Sequence, residues 1–191
     1  MHTIGVKYVS LKQKKMEEKK TSYGKLALYY GLIVGGLLVL LSLILYISDV
    51  GRESYLNSIQ YLILLGGIIW GSKTYRDMYL DGNITYGKSF SVGFMIGLFA
   101  SILSSIYIFL FFQYFDPGMM TEILNNTEQN LLKANPNISD ADLEMALKYS
   151  AKFTTPVMIA VWSFLANVIV SVILSLIVAI FIKRENVQTE I

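Results

Sequence analysis

Few side chains in this sequence have the types and spacing that catalysis requires. The only histidine is His2, cysteine is absent, and none of the long apolar stretches contains an acidic or basic residue. Acid–base and nucleophilic catalysis both need such groups held against a substrate. The sequence therefore predicts a protein that is not an enzyme, with no catalytic residue, no cofactor and no metal.

The acidic cluster of Asp140, Asp142 and Glu144 has the ligand type that divalent cations prefer. Acids grouped at the start of a helix also interact favourably with its dipole while they remain solvated. We interpret the cluster as such solvated dipole partners, with a cation site as the alternative. Nucleic-acid binding would depend on the N-terminal lysines alone, so we predict no nucleic-acid partner.

Hydrophobic residues make up 54% of the chain and gather in four long charge-free stretches. This distribution is typical of an integral membrane protein, because about 20 apolar residues in a helix cross a hydrocarbon core of about 30 Å. We predict an all-α integral membrane protein with four transmembrane helices. The predicted spans are residues 26–48, 55–72, 89–115 and 156–182.

The second predicted span is the weakest, because Asn57, Ser58 and Gln60 dilute its outer end, and a re-entrant segment is the alternative. The positions of Lys and Arg distinguish the two, since cytoplasmic segments are enriched in both. With four spans, 12 of the 16 Lys and Arg residues are cytoplasmic and 4 are outside; without the second span the division is 10 and 6. We therefore predict four spans in a bacterial inner (cytoplasmic) membrane, with both termini in the cytoplasm.

A basic tail at residues 1–25 precedes the first span and contains seven lysines, and a short second tail follows the last span at residues 185–191. We expect the first tail to be a disordered signal for membrane orientation, or alternatively a segment attracted to anionic lipid. Met16 begins a stretch typical of a natural start, so residues 1–15 are either native or an upstream extension.

The largest polar segment, residues 116–155, separates the third and fourth spans. Asp116 followed by Pro117 favours a helix start, and Ser139 with Asp142 three residues later resembles a capping box. We predict two helices that form an extracytoplasmic helical hairpin. Its apolar faces are slight, so we expect it to fold against its partner helix, the bilayer surface or another protein.

Small and polar residues recur every four positions in the last two predicted spans, which places each set on one slowly turning ridge of a helix. In lipid, such ridges let helix backbones approach closely and let polar groups bond across. We predict that the two ridges pack against each other, with Asn167 bonding between helices or, alternatively, binding a ligand. The predicted helix-packing residues are Gly93, Gly97, Ser101 and Ser105 in the third span, and Ser163, Asn167, Ser171 and Ser175 in the fourth. Shorter versions, Gly31 with Gly35 and Gly67 with Gly71, lie in the first two spans.

The third span repeats features of the first. Tyr23-Gly24-Lys25 precedes one span and Tyr86-Gly87-Lys88 precedes the other, and both spans are predicted to run from the inside to the outside. Our hypothesis is that the chain is a tandem duplication of a helical hairpin, with the outer helices inserted in the second copy. Parallel repeats of this kind would be related by an axis along the membrane normal.

These features together resemble a known family. The sequence contains KTYRD at residues 73–77, GNITYGKSF at 82–90 and FDPGMMTEIL at 115–124, in addition to the two spans led by Tyr-Gly-Lys. Over roughly residues 16–184 the chain resembles a family of small Bacteroidota membrane proteins catalogued as domain of unknown function 4199. The resemblance implies a four-helix inner-membrane protein with an outward helical segment before the last span, and it implies no activity.

The function that these observations favour is that of a non-catalytic accessory or scaffold subunit. Its outward hairpin would engage membrane lipid, an unknown protein partner or another copy of the chain. The alternative is a small transporter or channel-like oligomer for a neutral or lipid-like solute, because ion-coupled transport normally places an ionisable residue inside a span.

Overall fold

The computed structural model describes residues 2–48 and 58–184, and for residues 2–22 it describes the backbone alone. Throughout these ranges the secondary structure is helical, apart from an isolated backbone bridge between Ile84 and Arg184. The helices are α1 (His2–Ile47), α2 (Ile59–Tyr79), α3 (Tyr86–Leu110), a π-helical turn (Phe111–Phe115), α4 (Gly118–Ala134), α5 (Asp140–Phe153) and α6 (Pro156–Ile182).

Three of these helices are long and apolar enough to cross a membrane: Tyr23–Ile47, Tyr86–Phe115 and Pro156–Ile182. They coincide with the predicted first, third and fourth spans. At about 1.5 Å per residue, each is longer than the hydrocarbon core of about 30 Å. The protein is therefore a multi-pass membrane protein.

The second predicted span also forms a helix, but α2 is not among the three. Its apolar part is short, because Gln60 lies near one end and Lys73, Arg76 and Asp77 occupy its last two turns. The basic region predicted to link the second and third spans is therefore largely helical. The chain leaves α2 through a tight turn in which Asp81 and Gly82 have positive φ angles of 51° and 80°.

The expectation of a disordered basic tail is wrong for its described part, since α1 begins at His2. Lys, Glu, Gln and Met, which dominate the second half of this tail, all have high intrinsic helix propensity. A tail that precedes an apolar helix without a proline can extend that helix without a new nucleation step. The predicted tail at 185–191 and the segment 49–57 lie outside the described residues.

The described chain forms two compact units, the first of which comprises the residues up to Ser101 and from Asn167 onward. Helix α3 lies at the centre of this unit. Val92, Ile96 and Ala100, four residues apart, are completely buried. They share the core with Ile68 of α2 and with residues of α1 and α6. Since α3 is buried by its neighbours, it is the element around which this unit packs.

The second unit, Ile102–Ala166, contains the C-terminal end of α3, the N-terminal end of α6 and the insertion formed by α4 and α5. Both insertion helices begin at predicted caps. The Asp116 carboxylate accepts a hydrogen bond from the backbone N–H of Met119 at 3.2 Å, and Ser139 Oγ accepts one from Asp142 N–H at 3.2 Å. Helices α4 and α5 contact each other. Neither contains a fully buried residue.

We predict that Ser139→Ala loosens the first turn of α5, because it leaves a backbone N–H of that turn without its acceptor. Loss of such a cap costs about 1 kcal/mol. Hydrogen–deuterium exchange should therefore be faster at the amides of α5, with α6 unchanged. Ser139→Asn, which retains a capping acceptor, should exchange like the natural protein. Equal exchange in the alanine variant would mean that the cap does not stabilise α5.

Candidate functional site

The predicted ridges of α3 and α6 meet at two glycines. A Cβ atom added at Gly97 would overlap the side chain of Ser171 on α6. One turn earlier, a Cβ at Gly93 would lie 3.0 Å from Ser175 Oγ and 2.8 Å from Ile68 Cγ2 of α2. Both separations are shorter than ordinary carbon contacts, so the helix backbones approach where glycine leaves room.

The first two helices use their glycines in the same way. A Cβ at Gly31 of α1 would lie 2.9 Å from the backbone oxygen of Ile96 on α3. On α2, a Cβ at Gly67 would overlap Val34 of α1, and one at Gly71 would lie 3.2 Å from the ring of Tyr30. The sequence indicated small residues here but not their neighbours. Glycine contacts therefore connect α3 to α1, α2 and α6.

Contacts between α1 and α2 also define their relative direction. Tyr75, Gly71 and Gly67 of α2 lie beside Tyr23, Tyr30 and Val34 of α1, respectively. As the residue number falls along α2, it rises along α1. The two helices are therefore antiparallel neighbours over this length.

The ridge hydroxyls bond mainly within their own helices. Ser101 Oγ donates to the Gly97 carbonyl and Ser171 Oγ to the Asn167 carbonyl, each at 2.7 Å. Only Ser105 is seen to cross to another helix in the described chain, where its Oγ donates to the Ala160 carbonyl of α6 at 2.9 Å. Hydroxyls bonded to their own helix can pack tightly against a neighbour without leaving an unsatisfied donor.

The remaining ridge residues are less engaged. Ser163 is half-buried, and Ser175 is buried with an Oγ that has no hydrogen-bond partner among the described residues. Asn167 is also half-buried. Within the described chain its backbone carbonyl accepts a bond, but no hydrogen bond to its side-chain amide is seen. Its role as a bond between helices stays a prediction.

A second set of contacts joins the helix ends near residues 73–88 and 182–184, and the sequence did not indicate it. Arg76 Nη1 donates to the Ile182 carbonyl of α6 at 3.3 Å, where a helix C-terminus leaves carbonyls without partners. Two backbone bonds of 2.8 and 2.9 Å pair Ile84 with Arg184. Arg76 also bonds Asp77 at 2.7 Å and so lowers the pKa of that carboxyl.

Lys88 adds a further contact at this end. Its Nζ lies 4.4 Å from the ring centre of Tyr23 and 5.8 Å from that of Tyr75, distances at which a cation is attracted to an aromatic face. Tyr23 and Lys88 belong to the two Tyr-Gly-Lys motifs. The motifs that suggested a repeat thus supply one residue each to a contact between α1 and α3.

The acidic cluster on α5 has an ordinary structural environment. The Asp142 carboxylate accepts a hydrogen bond from the Ser139 hydroxyl at 2.7 Å. Among the described residues, no group of three or more histidines, cysteines, aspartates and glutamates could hold a metal ion.

Comparison with known proteins places this architecture in a family. The family described as a protein of unknown function (DUF4199) matches residues 29–184, which is most of the chain. The chain belongs to the DUF4199 family. The DUF4199 match begins in α1 after Tyr23 and ends at Arg184, so it includes the glycine contacts, the Ile84–Arg184 pairing and the insertion. No curated protein and no solved structure matches the chain.

We predict that Gly97→Ala destabilises the protein, because the new methyl group has no space beside Ser171. Overpacking of this kind costs about 1–3 kcal/mol. The melting temperature in detergent should fall, and adding Ser171→Gly should recover part of the loss. The matched control is Gly36→Ala, where a Cβ meets nothing within 4 Å. An unchanged melting temperature for Gly97→Ala would contradict the close α3–α6 contact.

Proposed function

We propose that the protein is a non-catalytic accessory or scaffold subunit of a bacterial inner membrane, with four spans and both termini in the cytoplasm. In this proposal the α4–α5 insertion lies outside and engages a partner protein or membrane lipid. The observation that carries it is the exposed apolar surface of the insertion. Met145, Tyr149 and Phe153 are each more than half exposed, on a helix that buries no residue.

Assignment of α2 as the fourth span is supported by its neighbours. Tyr23, at the start of the first span, lies beside Lys88 at the start of α3, which supports a common side of the membrane for the starts of these two spans. The first span ends at the opposite side, at Ile47. We therefore infer that the chain crosses back between Ile47 and α3. Helix α2 is antiparallel to α1 and is the helix available for that crossing.

The surface of α2 supports the same assignment. One face packs into the core through Ile68, whereas Leu62, Ile69 and Trp70 on other faces are exposed. An exposed apolar surface on a helix that also packs against spanning helices is expected where lipid replaces water. The polar end of α2 then lies at the headgroups, where Lys and Arg are tolerated.

Basic residues support the orientation. Lys73, Arg76 and Lys88 lie near one end of the bundle, and the Ile84–Arg184 pairing places Lys183 and Arg184 at that same end. A concentration of Lys and Arg at one side of the spans is typical of the cytoplasmic side. The insertion is then extracytoplasmic.

A small transporter or channel-like oligomer is the second candidate, and buried hydroxyls favour it. Ser72, Ser89 and Ser175 belong to α2, α3 and α6, and their Oγ atoms are buried without hydrogen-bond partners among the described residues. A buried unbonded hydroxyl costs free energy unless a water or solute satisfies it. A polar path would need such groups.

Single cysteines test the topology, because the natural sequence has none. We predict that Ser139→Cys reacts with an impermeant maleimide in intact spheroplasts, whereas Lys15→Cys and Gln188→Cys react only after lysis. A protein with three spans would place residues 15 and 188 on opposite sides. Labelling of exactly one of those two in intact cells would therefore contradict four spans.

Photo-crosslinking of the insertion and water accessibility of residue 175 distinguish the accessory subunit from the transporter. A photoreactive residue in place of the exposed Leu132 of α4 should yield adducts with a partner in living cells. Ser175→Cys in proteoliposomes should resist a hydrophilic methanethiosulfonate, with Ser139→Cys as the reactive control. Absence of adducts together with rapid reaction at residue 175 would replace the accessory subunit with the transporter.

A further inference from the structure

The exposed face of α5 carries three large apolar side chains in a row. Met145, Tyr149 and Phe153 are 58%, 58% and 57% exposed, and they recur every four residues. Residues at this spacing lie above one another on a helix. The opposite face holds Leu143 and Leu147, which are partly buried. We call the exposed row of Met145, Tyr149 and Phe153 the α5 stripe.

Charge is divided along the same helix. Asp140, Asp142 and Glu144 lie in its first half, whereas Lys148 and Lys152 lie in its second half and border the α5 stripe. Lys152 Nζ is 5.2 Å from the ring centre of Tyr149, so the ammonium group and the aromatic ring are presented together. Apolar and aromatic side chains beside lysines are typical of helices that bind the interface of anionic membranes.

The position of the stripe along the chain brings it close to a bilayer. Phe153 ends α5, and the membrane-length helix α6 begins at Pro156. At the other end of the insertion, the exposed rings of Tyr114 and Phe115 lie at the end of the span Tyr86–Phe115. Exposed aromatic rings at span ends are typical of the membrane–water interface. The basic half of α5 therefore adjoins a span end, at the level of the headgroups.

We propose that the α5 stripe binds the headgroup region of an anionic bilayer, with α5 lying along the membrane surface. Met145, Tyr149 and Phe153 enter the boundary between headgroups and acyl chains, and Lys148 and Lys152 contact lipid phosphates. The proposal rests on the proposed role of the insertion as a binding surface, and it names lipid as what that surface binds. Binding holds the insertion flat and leaves α4 accessible from the aqueous side.

Site-directed spin labelling tests the orientation. Met145→Cys, Tyr149→Cys and Phe153→Cys are introduced separately into the full chain, labelled, and reconstituted into vesicles of phosphatidylcholine and phosphatidylglycerol. Collision rates with oxygen and with a water-soluble nickel complex report depth. All three labels should favour oxygen. The control, Gln129→Cys on α4, should favour nickel, since Gln129 is exposed on the other helix of the insertion.

An upright insertion gives a different result. Residues 145 and 153 are separated by about 12 Å along the helix, so an upright α5 would give a gradient in which only residue 153 favours oxygen. That gradient, or three labels that all favour nickel, would overturn the proposal. Strong spin–spin broadening at the stripe would also overturn it, because a second copy of the chain would then be the occupant.

Lipid charge provides an independent measurement. The double variant with Lys148→Gln and Lys152→Gln should lower the ratio of bilayer-bound to unbound α5 by about fivefold for each lysine. Vesicles of phosphatidylcholine alone should also lower this ratio, because they carry no net negative charge. The matched control is Lys133→Gln on α4, which should leave the ratio unchanged. Equal binding in all of these samples would exclude recognition of anionic lipid. Photo-crosslinking from residue 132 of α4 does not depend on whether α5 binds anionic lipid. The accessory role and the lipid contact can therefore fail separately.

Discussion

The close approach of α3 to its neighbours is the constraint on which the first structural unit depends. Apolar side chains gain little by leaving lipid for a helix interface, so helices in a membrane associate through close packing and polar contacts. Gly93 and Gly97 of α3 allow that packing against α2 and α6, and Gly31 of α1 allows it against α3. A side chain at any of these positions would collide with atoms of a neighbouring helix.

Contacts at the helix ends complement this packing. Arg76 satisfies a carbonyl at the end of α6, and the backbone of Ile84 pairs with that of Arg184. Lys88 joins Tyr23 of α1 through its ring face. These groups lie where the chain leaves the apolar spans, so hydrogen bonds and cation–π contacts stabilise the arrangement where glycine packing ends. They also determine which helix ends lie together.

The helices of the insertion are stabilised differently from the helices of the first unit. Its helices begin at side-chain caps and contact each other, yet neither has a buried core. Two short helices with half-buried faces gain little stability from their own contact. A surface that supplies the missing apolar burial would stabilise them. The division of acids and lysines along α5 favours the bilayer as that surface.

Much of this protein was determined by local sequence. Charge-free length predicts the three membrane-length helices, and Asp116 and Ser139 predict the starts of α4 and α5, because hydropathy and capping are properties of short segments. Tertiary structure alone decided the direction of α2 beside α1, because the contacts that define it join residues far apart in sequence. It also decided that Gly31 meets α3 and that Arg76 reaches Ile182, 106 residues away. Periodicity shows which residues share a face, whereas only packing determines which helix that face meets.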